Sequence, residues 1–226
     1  MSLTPAANDE SKDTDSGHGD WASAGRRVAL VGDSTLDNAL WVRGARARSV
    51  PQHVAAAVPD CAVANLAGDG LTSGDALHGS RRVISAGHRQ CHGDPVPFDE
   101  DGVFRPLRRL ALLEPPPTHV VLSIGGNDVR DSLTDVSQLP RVIALLTSNY
   151  LQIVEACLAV VPNVILMMQY RPSWHMDSSS YGVYSAIGSI PGEADPLAKV
   201  NQLMEEVYSH VLPLALAKTQ AGRHRD

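Results

Sequence analysis

Four short apolar runs constrain the fold of this chain more than any other feature. They are rich in β-branched or other apolar residues, each is followed by glycine, asparagine or another polar group, and they span residues 28–31, 61–64, 119–124 and 164–168. Runs of this length and composition are typical of buried strands. Helical patterns lie between them, and alternation of strands with helices predicts a parallel sheet covered on both faces.

Two helical patterns are the clearest. In residues 139–161, three- and four-residue steps place one set of side chains near one face: Val142, Leu145, Leu146, Asn149, Ile153, Ala156 and Val160. A second helix is predicted from Asp195-Pro196, with Asp as N-cap and Pro at the first helical position. Its predicted apolar stripe is Leu197, Val200, Leu203, Met204, Val207 and Val211. Residues 85–105 and 173–192 are predicted loops, the second a lid or a substrate-contact segment.

Composition predicts one domain preceded by a tail. The 226 residues, 43% of them hydrophobic, suit a single sizeable core. Residues 1–25 are polar and acidic, and we predict a disordered tail there and the folded domain over 26–226. The net charge is −6 with no basic stripe, so nucleic acid is not an expected partner.

Membrane, metal and disulfide chemistry are not expected from this sequence. No apolar leader opens the chain and no stretch is long enough to cross a bilayer, so we expect a soluble, cytoplasmic protein. Of the three cysteines, Cys61 and Cys157 lie in apolar runs and are predicted to be buried free thiols. Cys91, beside His88 and His92, lacks a fourth ligand and is a minor alternative for a metal or thiol site. We expect no cofactor and no metal.

Polar motifs follow the first three apolar runs, at residues 32–34, 65–72 and 125–128. Ligands of parallel sheets bind where the carboxyl ends of the strands meet their loops. Ser34 is predicted to lie exposed at the start of a helix, whose free N–H groups favour a developing anion. Alternatively, Asp33 or Ser34 simply caps that helix. A glycine N–H and an asparagine amide are suitable donors for an oxyanion hole.

Taken together, these motifs resemble the SGNH, or GDSL, hydrolase superfamily over residues 27–217. The matched residues are Gly32-Asp33-Ser34, Asn65-x-x-x-x-Gly70 and Gly125-x-Asn127-Asp128. The resemblance implies a flavodoxin-like, three-layer α/β/α fold with a mostly parallel sheet of four to five strands. It also implies a serine esterase that cleaves carboxylic esters of small molecules through an acyl-enzyme.

The same resemblance implies roles for individual residues. Ser34 is the nucleophile, and its N–H, the Gly70 N–H and the Asn127 side chain form the oxyanion hole. Gly68 is a nearby alternative to Gly70. Asp33, Gly68 and Asp128, beside these residues in the motifs, are predicted to contact the substrate.

One expected motif is missing from the sequence. The family's general base lies in a C-terminal Asp-x-x-His, and none follows the helix predicted from Pro196. The domain could be truncated at its C-terminus, use a substitute histidine, or have lost catalysis. His175, after the fourth apolar run, is the preferred substitute, and His224 ranks below it. Asp75-x-x-His78 has the right spacing, but it falls in a predicted helix and is read as a chance match.

Three rival functions follow from the same residues. A dinucleotide site is disfavoured because Ser73 stands where the third glycine of Gly-x-Gly-x-x-Gly is needed. A magnesium-dependent receiver or phosphatase could use Asp33, Asp69 and Asp128, but it leaves Asn127 without a role. The third rival keeps the SGNH fold and binds acyl or glycan ligands without turnover. The sequence does not indicate an oligomeric state.

Overall fold

The structure is a computed structural model that describes residues 20–38, 49–81, 99–132, 136–167 and 196–223. Its strands are β1 Arg26–Gly32, β2 Cys61–Ala67, β3 His119–Ser123 and β4 Val164–Leu166. Its helices are α1 Val50–Ala57, α2 Ser73–His78, α3 Pro106–Ala111, α4 Gly126–Ser132, α5 Leu139–Leu158 and α6 Pro196–Arg223. The predicted loop 173–192, most of the loop 85–105 and residue Asp195 lie outside the described residues.

The four strands pair in parallel in the order β2-β1-β3-β4. This is the strand order of a flavodoxin-like sheet. All four predicted strands are confirmed, and the first two extend beyond their apolar runs, back to Arg26 in β1 and forward to Ala67 in β2. The predicted α/β class with a parallel sheet is therefore confirmed.

Alternate side chains of β1 enter two separate cores, one on each face of the sheet. Val28 and Leu30 pack in a smaller cluster with side chains of α1. Ala29 and Val31 face the larger cluster, which contains buried side chains of α2, α3, α5 and α6. Successive residues of a strand point to opposite faces, so helices on both sides produce the three predicted layers.

Helix α5 confirms the predicted helix but corrects its buried face. Leu145, predicted on the core side, is 57% exposed. The buried side chains are Leu146, Asn149, Tyr150, Ile153, Val154 and Cys157. Leu146 and Tyr150, four residues apart, both lie on this buried face. The face is rotated by about one residue from the predicted one, since one turn of an α-helix takes 3.6 residues.

Helix α6 confirms the last predicted helix from Pro196 onward. Val207 and Val211 of its predicted stripe are buried in the larger core, together with Tyr208 and Ala215. The Tyr208 hydroxyl donates to the Ile124 carbonyl at 3.4 Å, just beyond β3. Helix α6 is thus tied to the carboxyl end of the sheet.

Gly32, the last residue of β1, allows an unusually close approach of two backbones. Its φ is 155°, and a Cβ at this position would lie 1.9 Å from the Ser123 carbonyl oxygen and 2.8 Å from the carbonyl carbon. Both contacts are with backbone atoms of the neighbouring strand β3, which cannot move aside as a flexible side chain can. Only glycine therefore permits β1 and β3 to pair up to this point.

We expect Gly32→Ala to destabilise the protein by about 3 kcal/mol or more, since overpacking and backbone strain both contribute. Gly102→Ala is the matched control, because Gly102 also has a positive φ, of 73°, but its Cβ would meet no atom of the described residues within 4 Å. It should cost only about 1–2 kcal/mol of backbone strain. Urea unfolding of both variants measures the difference, and equal losses would contradict the role given to the Ser123 contact.

Candidate active site

Strand register brings the three sequence motifs to one edge of the sheet. Gly32 is aligned with Ala67 of β2 and with Ser123 of β3. Two hydrogen bonds extend this alignment past the strand ends. Gly68 N donates to Gly32 O at 2.9 Å, and Asp33 N donates to Ser123 O at 3.0 Å. The segments that follow the three strands therefore begin side by side.

Ser34 lies in a single tight turn after β1. Leu36 N and Asp37 N both donate to the Asp33 carbonyl, at 3.1 and 3.0 Å. The buried Asp33 carboxylate accepts from Thr35 N at 3.0 Å and caps this turn. Ser34 itself is partly exposed, and its hydroxyl has no hydrogen-bond partner among the described residues.

The prediction that a helix starts at Ser34 is wrong over the described residues. Residues 34–36 form a turn, residues 37 and 38 have no regular structure, and the next described helix, α1, begins at Val50. Asn38 already uses its side-chain oxygen to accept from Val50 N at 2.8 Å. Asp33 therefore caps a turn instead of a helix. The backbone N–H groups near Ser34 accordingly belong to a single turn.

Gly70 occupies the third position of a tight turn after β2. Leu71 N donates to Gly68 O at 3.1 Å, and the Gly70 φ of 81° is the value that a type II turn requires there. A Cβ on Gly70 would meet no atom of the described residues within 4 Å. The Gly70 N–H and the Ser34 N–H have no acceptor within the described ranges.

Gly68 and Gly70 differ in what their N–H groups can do. The Gly68 N–H is already donated to Gly32 O, where it continues the pairing of β1 and β2. The Gly70 N–H is unengaged in the described chain. This difference favours Gly70 over Gly68 as an oxyanion donor.

Asn127 reaches this turn from the start of α4. The side chain is 5% exposed, and its Nδ2 donates to the Leu71 carbonyl at 2.9 Å. A carboxamide nitrogen carries two hydrogens, so one bond to Leu71 leaves the second for another acceptor. The bond also places Asn127 beside the residue that follows Gly70.

Asp37 joins the turns after β1 and β2. This buried carboxylate accepts from Asn65 Nδ2 at 3.3 Å and from Asp69 N at 3.2 Å. Asn65 Oδ1 in turn accepts from Ala67 N at 3.1 Å. Asp37 and Asn65 therefore hold the loop of Gly70 beside the loop of Ser34, a role that the sequence motifs do not reveal for Asp37.

Asp128 points toward α2. Its carboxylate accepts from the Ser73 hydroxyl at 2.5 Å and from Ser73 N at 2.8 Å. Burial raises the pKa of Asp128 above its ordinary value because it disfavours the charged form, and the Ser73 hydrogen bonds offset part of that effect. Direct contact of Asp33, Gly68 or Asp128 with a substrate stays a prediction.

We expect Ser73→Ala to destabilise the protein by about 1.5–3 kcal/mol near pH 7, because a partly buried carboxylate loses a charge-assisted donor. The loss raises the pKa of Asp128 in the folded state further above its unfolded value near 4. The native state then binds the proton more tightly, so stability falls as the pH rises from about 4 toward the native pKa. The deficit relative to wild type should thus grow between pH 4 and pH 7 in urea unfolding.

Ser132→Ala is the control for this pH dependence. Ser132 is also buried, but its hydroxyl donates to the Val129 carbonyl at 2.6 Å, which does not titrate. The loss of stability in Ser132→Ala should be similar at pH 4 and at pH 7. A Ser73→Ala deficit that is equally independent of pH would contradict the assignment of the Asp128 carboxylate as the acceptor.

Four histidines belong to the described part of the chain, and none is hydrogen-bonded to Ser34: His53, His78, His119 and His210. Asp75 and His78 are not a catalytic pair. The Asp75 carboxylate instead accepts from Thr72 N and Oγ1, at 3.1 and 2.8 Å, in a capping box at the start of α2. The predicted base His175 and its alternative His224 lie outside the described residues.

The described ranges also bear on metal, membrane and thiol sites. Over the described ranges, no group of three His, Cys, Asp or Glu side chains could hold a metal ion. None of the helices in these ranges has the length and hydropathy that crossing a bilayer requires. Cys61 and Cys157 are buried free thiols, as predicted, while Cys91 lies outside the described residues.

A lipase and an acetylxylan esterase are among the solved structures that are similar to this chain. The extracellular lipase of Streptomyces rimosus aligns at 15% identity over 82% of this chain and 76% of its own, with a TM-score of 0.39. The acetylxylan esterase Axe2 of Geobacillus stearothermophilus aligns at 14% identity over 85% of this chain and 75% of its own, with a TM-score of 0.38. No protein-family model and no curated protein matches the sequence. The α/β fold is established here by the strand order and the layers.

Proposed function

We propose that this protein is a serine ester hydrolase that uses Ser34 as its nucleophile. The observation that carries the proposal is the pair of unengaged backbone donors, Ser34 N–H and Gly70 N–H, at neighbouring strand ends beside the Asn127 amide. Neutral donors converging on one point are what an oxyanion needs, because they stabilise charge that develops only in the transition state. The resemblance of the three motifs to SGNH hydrolases supports the same reading.

In the proposed reaction, the Ser34 hydroxyl attacks the carbonyl carbon of a carboxylic ester. The carbonyl oxygen becomes an oxyanion, which accepts from the Ser34 and Gly70 N–H groups and from Asn127 Nδ2. Collapse of this intermediate breaks the bond to the leaving oxygen, which takes up from the base the proton that Ser34 lost and departs as the alcohol, and an acyl group is left on Ser34. Water then attacks the acyl-enzyme through the same oxyanion, releasing the carboxylic acid and restoring the hydroxyl.

A serine hydroxyl needs a base to accept its proton. His175 is our proposed base, because it follows β4 in the sequence, and β4 runs parallel to β1 and β3. An imidazole accepts that proton only in its neutral form, so attack by Ser34 should accelerate as the pH rises through the titration range of the base.

The test is covalent labelling of the intact protein by a fluorophosphonate, followed by peptide mass mapping. We expect one adduct, on Ser34, formed at a rate that rises with pH between about 5 and 8. His175→Gln should slow labelling and remove that rise, whereas His210→Gln, on the exposed surface of α6, should change neither. Labelling that persists unchanged in His175→Gln would contradict the assignment of the base.

The second candidate function is ligand binding without turnover. It is favoured by one observation, that none of the four described histidines is hydrogen-bonded to Ser34. The oxyanion donors would then hold the carbonyl of an acyl or glycan ligand without a covalent step. No fluorophosphonate adduct on folded protein, together with saturable binding of an acetylated sugar, would establish this function in place of hydrolysis.

A further inference from the structure

Behind the candidate oxyanion donors lies a chain of hydrogen bonds that the reaction above does not use. Asn149 Nδ2 donates to Ser73 Oγ at 3.0 Å, and Ser73 Oγ donates to Asp128 Oδ1 at 2.5 Å. Asn149 is buried in α5, and Ser73 is fully buried. The carboxylate can only accept and the amide nitrogen can only donate, so the hydroxyl between them has one possible orientation.

This chain of bonds connects three elements at the site. Asn149 lies in the long helix α5, whereas Ser73 is the first residue of α2, three residues after Gly70. Asp128 directly follows Asn127 in α4. A polar residue within the otherwise apolar face of α5 is therefore bonded to the segment that follows Gly70, and through Ser73 to the segment of Asn127.

Two separate links join these segments to each other. One is the bond from Asn127 Nδ2 to the Leu71 carbonyl, at 2.9 Å. The other is the pair of bonds from Ser73 to Asp128, at 2.5 and 2.8 Å. The links are two residues apart in one segment, at Leu71 and Ser73, and adjacent in the other, at Asn127 and Asp128. The relative position of the two segments is therefore fixed by two separate sets of hydrogen bonds.

We propose that Asn149, Ser73 and Asp128 are positioning residues that set the relative placement of the Gly70 N–H and the Asn127 amide. This inference rests on the function proposed above. Apolar side chains would fill the same space, but they would leave the loops free to slide, whereas hydrogen bonds impose direction as well as contact. The effect is large enough to measure, because a displacement of about 1 Å at a reacting centre costs on the order of 10²-fold in rate.

Exchanging the two ends of the network tests it directly. Asn149→Asp places two carboxylates on one hydroxyl, and Asp128→Asn places two amides on it, so each single variant breaks one bond. In the double variant, the side chain at position 149 accepts and the one at position 128 donates. The Ser73 hydroxyl again has one acceptor and one donor, with the hydrogen bonds running in the reverse direction. We expect each single variant to lower kcat for p-nitrophenyl acetate by about 10- to 100-fold with KM within about twofold, and the double variant to recover most of the loss.

The control variant is Ile153→Val, one turn after Asn149 and fully buried in the same helix. It lowers the unfolding midpoint by removing a core methyl group, but it removes none of the hydrogen bonds among the three polar residues. Its kcat should equal that of wild type. A comparable loss of kcat in Ile153→Val, or no recovery in the double variant, would overturn the proposal.

A second measurement separates this proposal from the proposed function. Hydrogen exchange followed by NMR reports the Leu71 N–H, which donates to Gly68 O within the turn of Gly70. Exchange should accelerate in both single variants and slow again in the double variant, whether or not the wild type turns over. Absent labelling of Ser34 would reject hydrolysis alone, whereas unchanged exchange in the single variants would reject the positioning network.

Discussion

Ser34→Ala should abolish fluorophosphonate labelling and reduce kcat for p-nitrophenyl acetate by roughly 10⁴- to 10⁶-fold, the usual effect of deleting a catalytic nucleophile. The physical reason is that no acyl-enzyme can form without the hydroxyl, whereas the oxyanion donors are left in place. Any residual rate would come from those donors and from substrate binding. Intact-protein mass spectrometry and steady-state kinetics measure the two effects independently.

Stability separates this result from simple unfolding. The Ser34 hydroxyl makes no hydrogen bond with the described residues, so its removal should change the unfolding free energy by no more than about 0.5 kcal/mol. Ser209→Ala is the control, because Ser209 is an exposed serine of α6 that donates to the Glu206 carbonyl. It should keep full labelling. A Ser34→Ala protein that is still labelled, or still hydrolyses the ester at the wild-type rate, would rule out Ser34 as the nucleophile.

Asn127→Ala should lower kcat by about 10²- to 10³-fold, the effect of losing one oxyanion donor. KM should change much less, because the donor acts on charge that develops in the transition state. The variant also removes the bond to the Leu71 carbonyl, so some loss of stability is expected. That loss must be measured separately from the change in rate.

Asn163→Ala is a control for this second result, because Asn163 makes the same kind of hydrogen bond, although it is exposed and Asn127 is buried. Asn163 Nδ2 donates to the Thr118 carbonyl at 3.1 Å, just as Asn127 Nδ2 donates to the Leu71 carbonyl. Asn163, however, precedes β4 and Thr118 precedes β3, so this pair lies at the amino end of the sheet. Asn163→Ala should leave kcat unchanged. An equal fall in kcat for both variants would show that Asn127 acts through the fold alone.

The strands and the long helices could be predicted because their signals are local. A strand of the sheet, such as β3, is buried along most of its length, and the sequence records this as a short run of apolar residues. The buried face of α5 was predicted less accurately. Leu145 and Leu146 are equally apolar, and only the packing of the helix on the sheet decides which of them is buried.

The residues of the candidate site could be predicted from the sequence, but the hydrogen bonds that hold them in place could not. The motifs identify Ser34, Gly70 and Asn127 because each follows a strand, and parallel strands end together. The helix expected at Ser34 was not found, because Asp33 caps a short turn and Asn38 bonds instead to the start of α1. The contribution of Asn149 was also not predicted, although a polar residue in an apolar stripe was the available signal.

Ser34 shows where the sequence alone was sufficient and where it was not. The order of strand and motif along the chain determined that the residues 32–34, 68–70 and 125–128 would meet at one edge of a parallel sheet. Only the tertiary structure decided which groups there are engaged. Ser73 bonds to residues 55 and 76 positions away, and the N–H of Gly68, but not of Gly70, is used in pairing. Periodicity records burial among near neighbours, whereas these hydrogen bonds depend on how separate layers pack against each other.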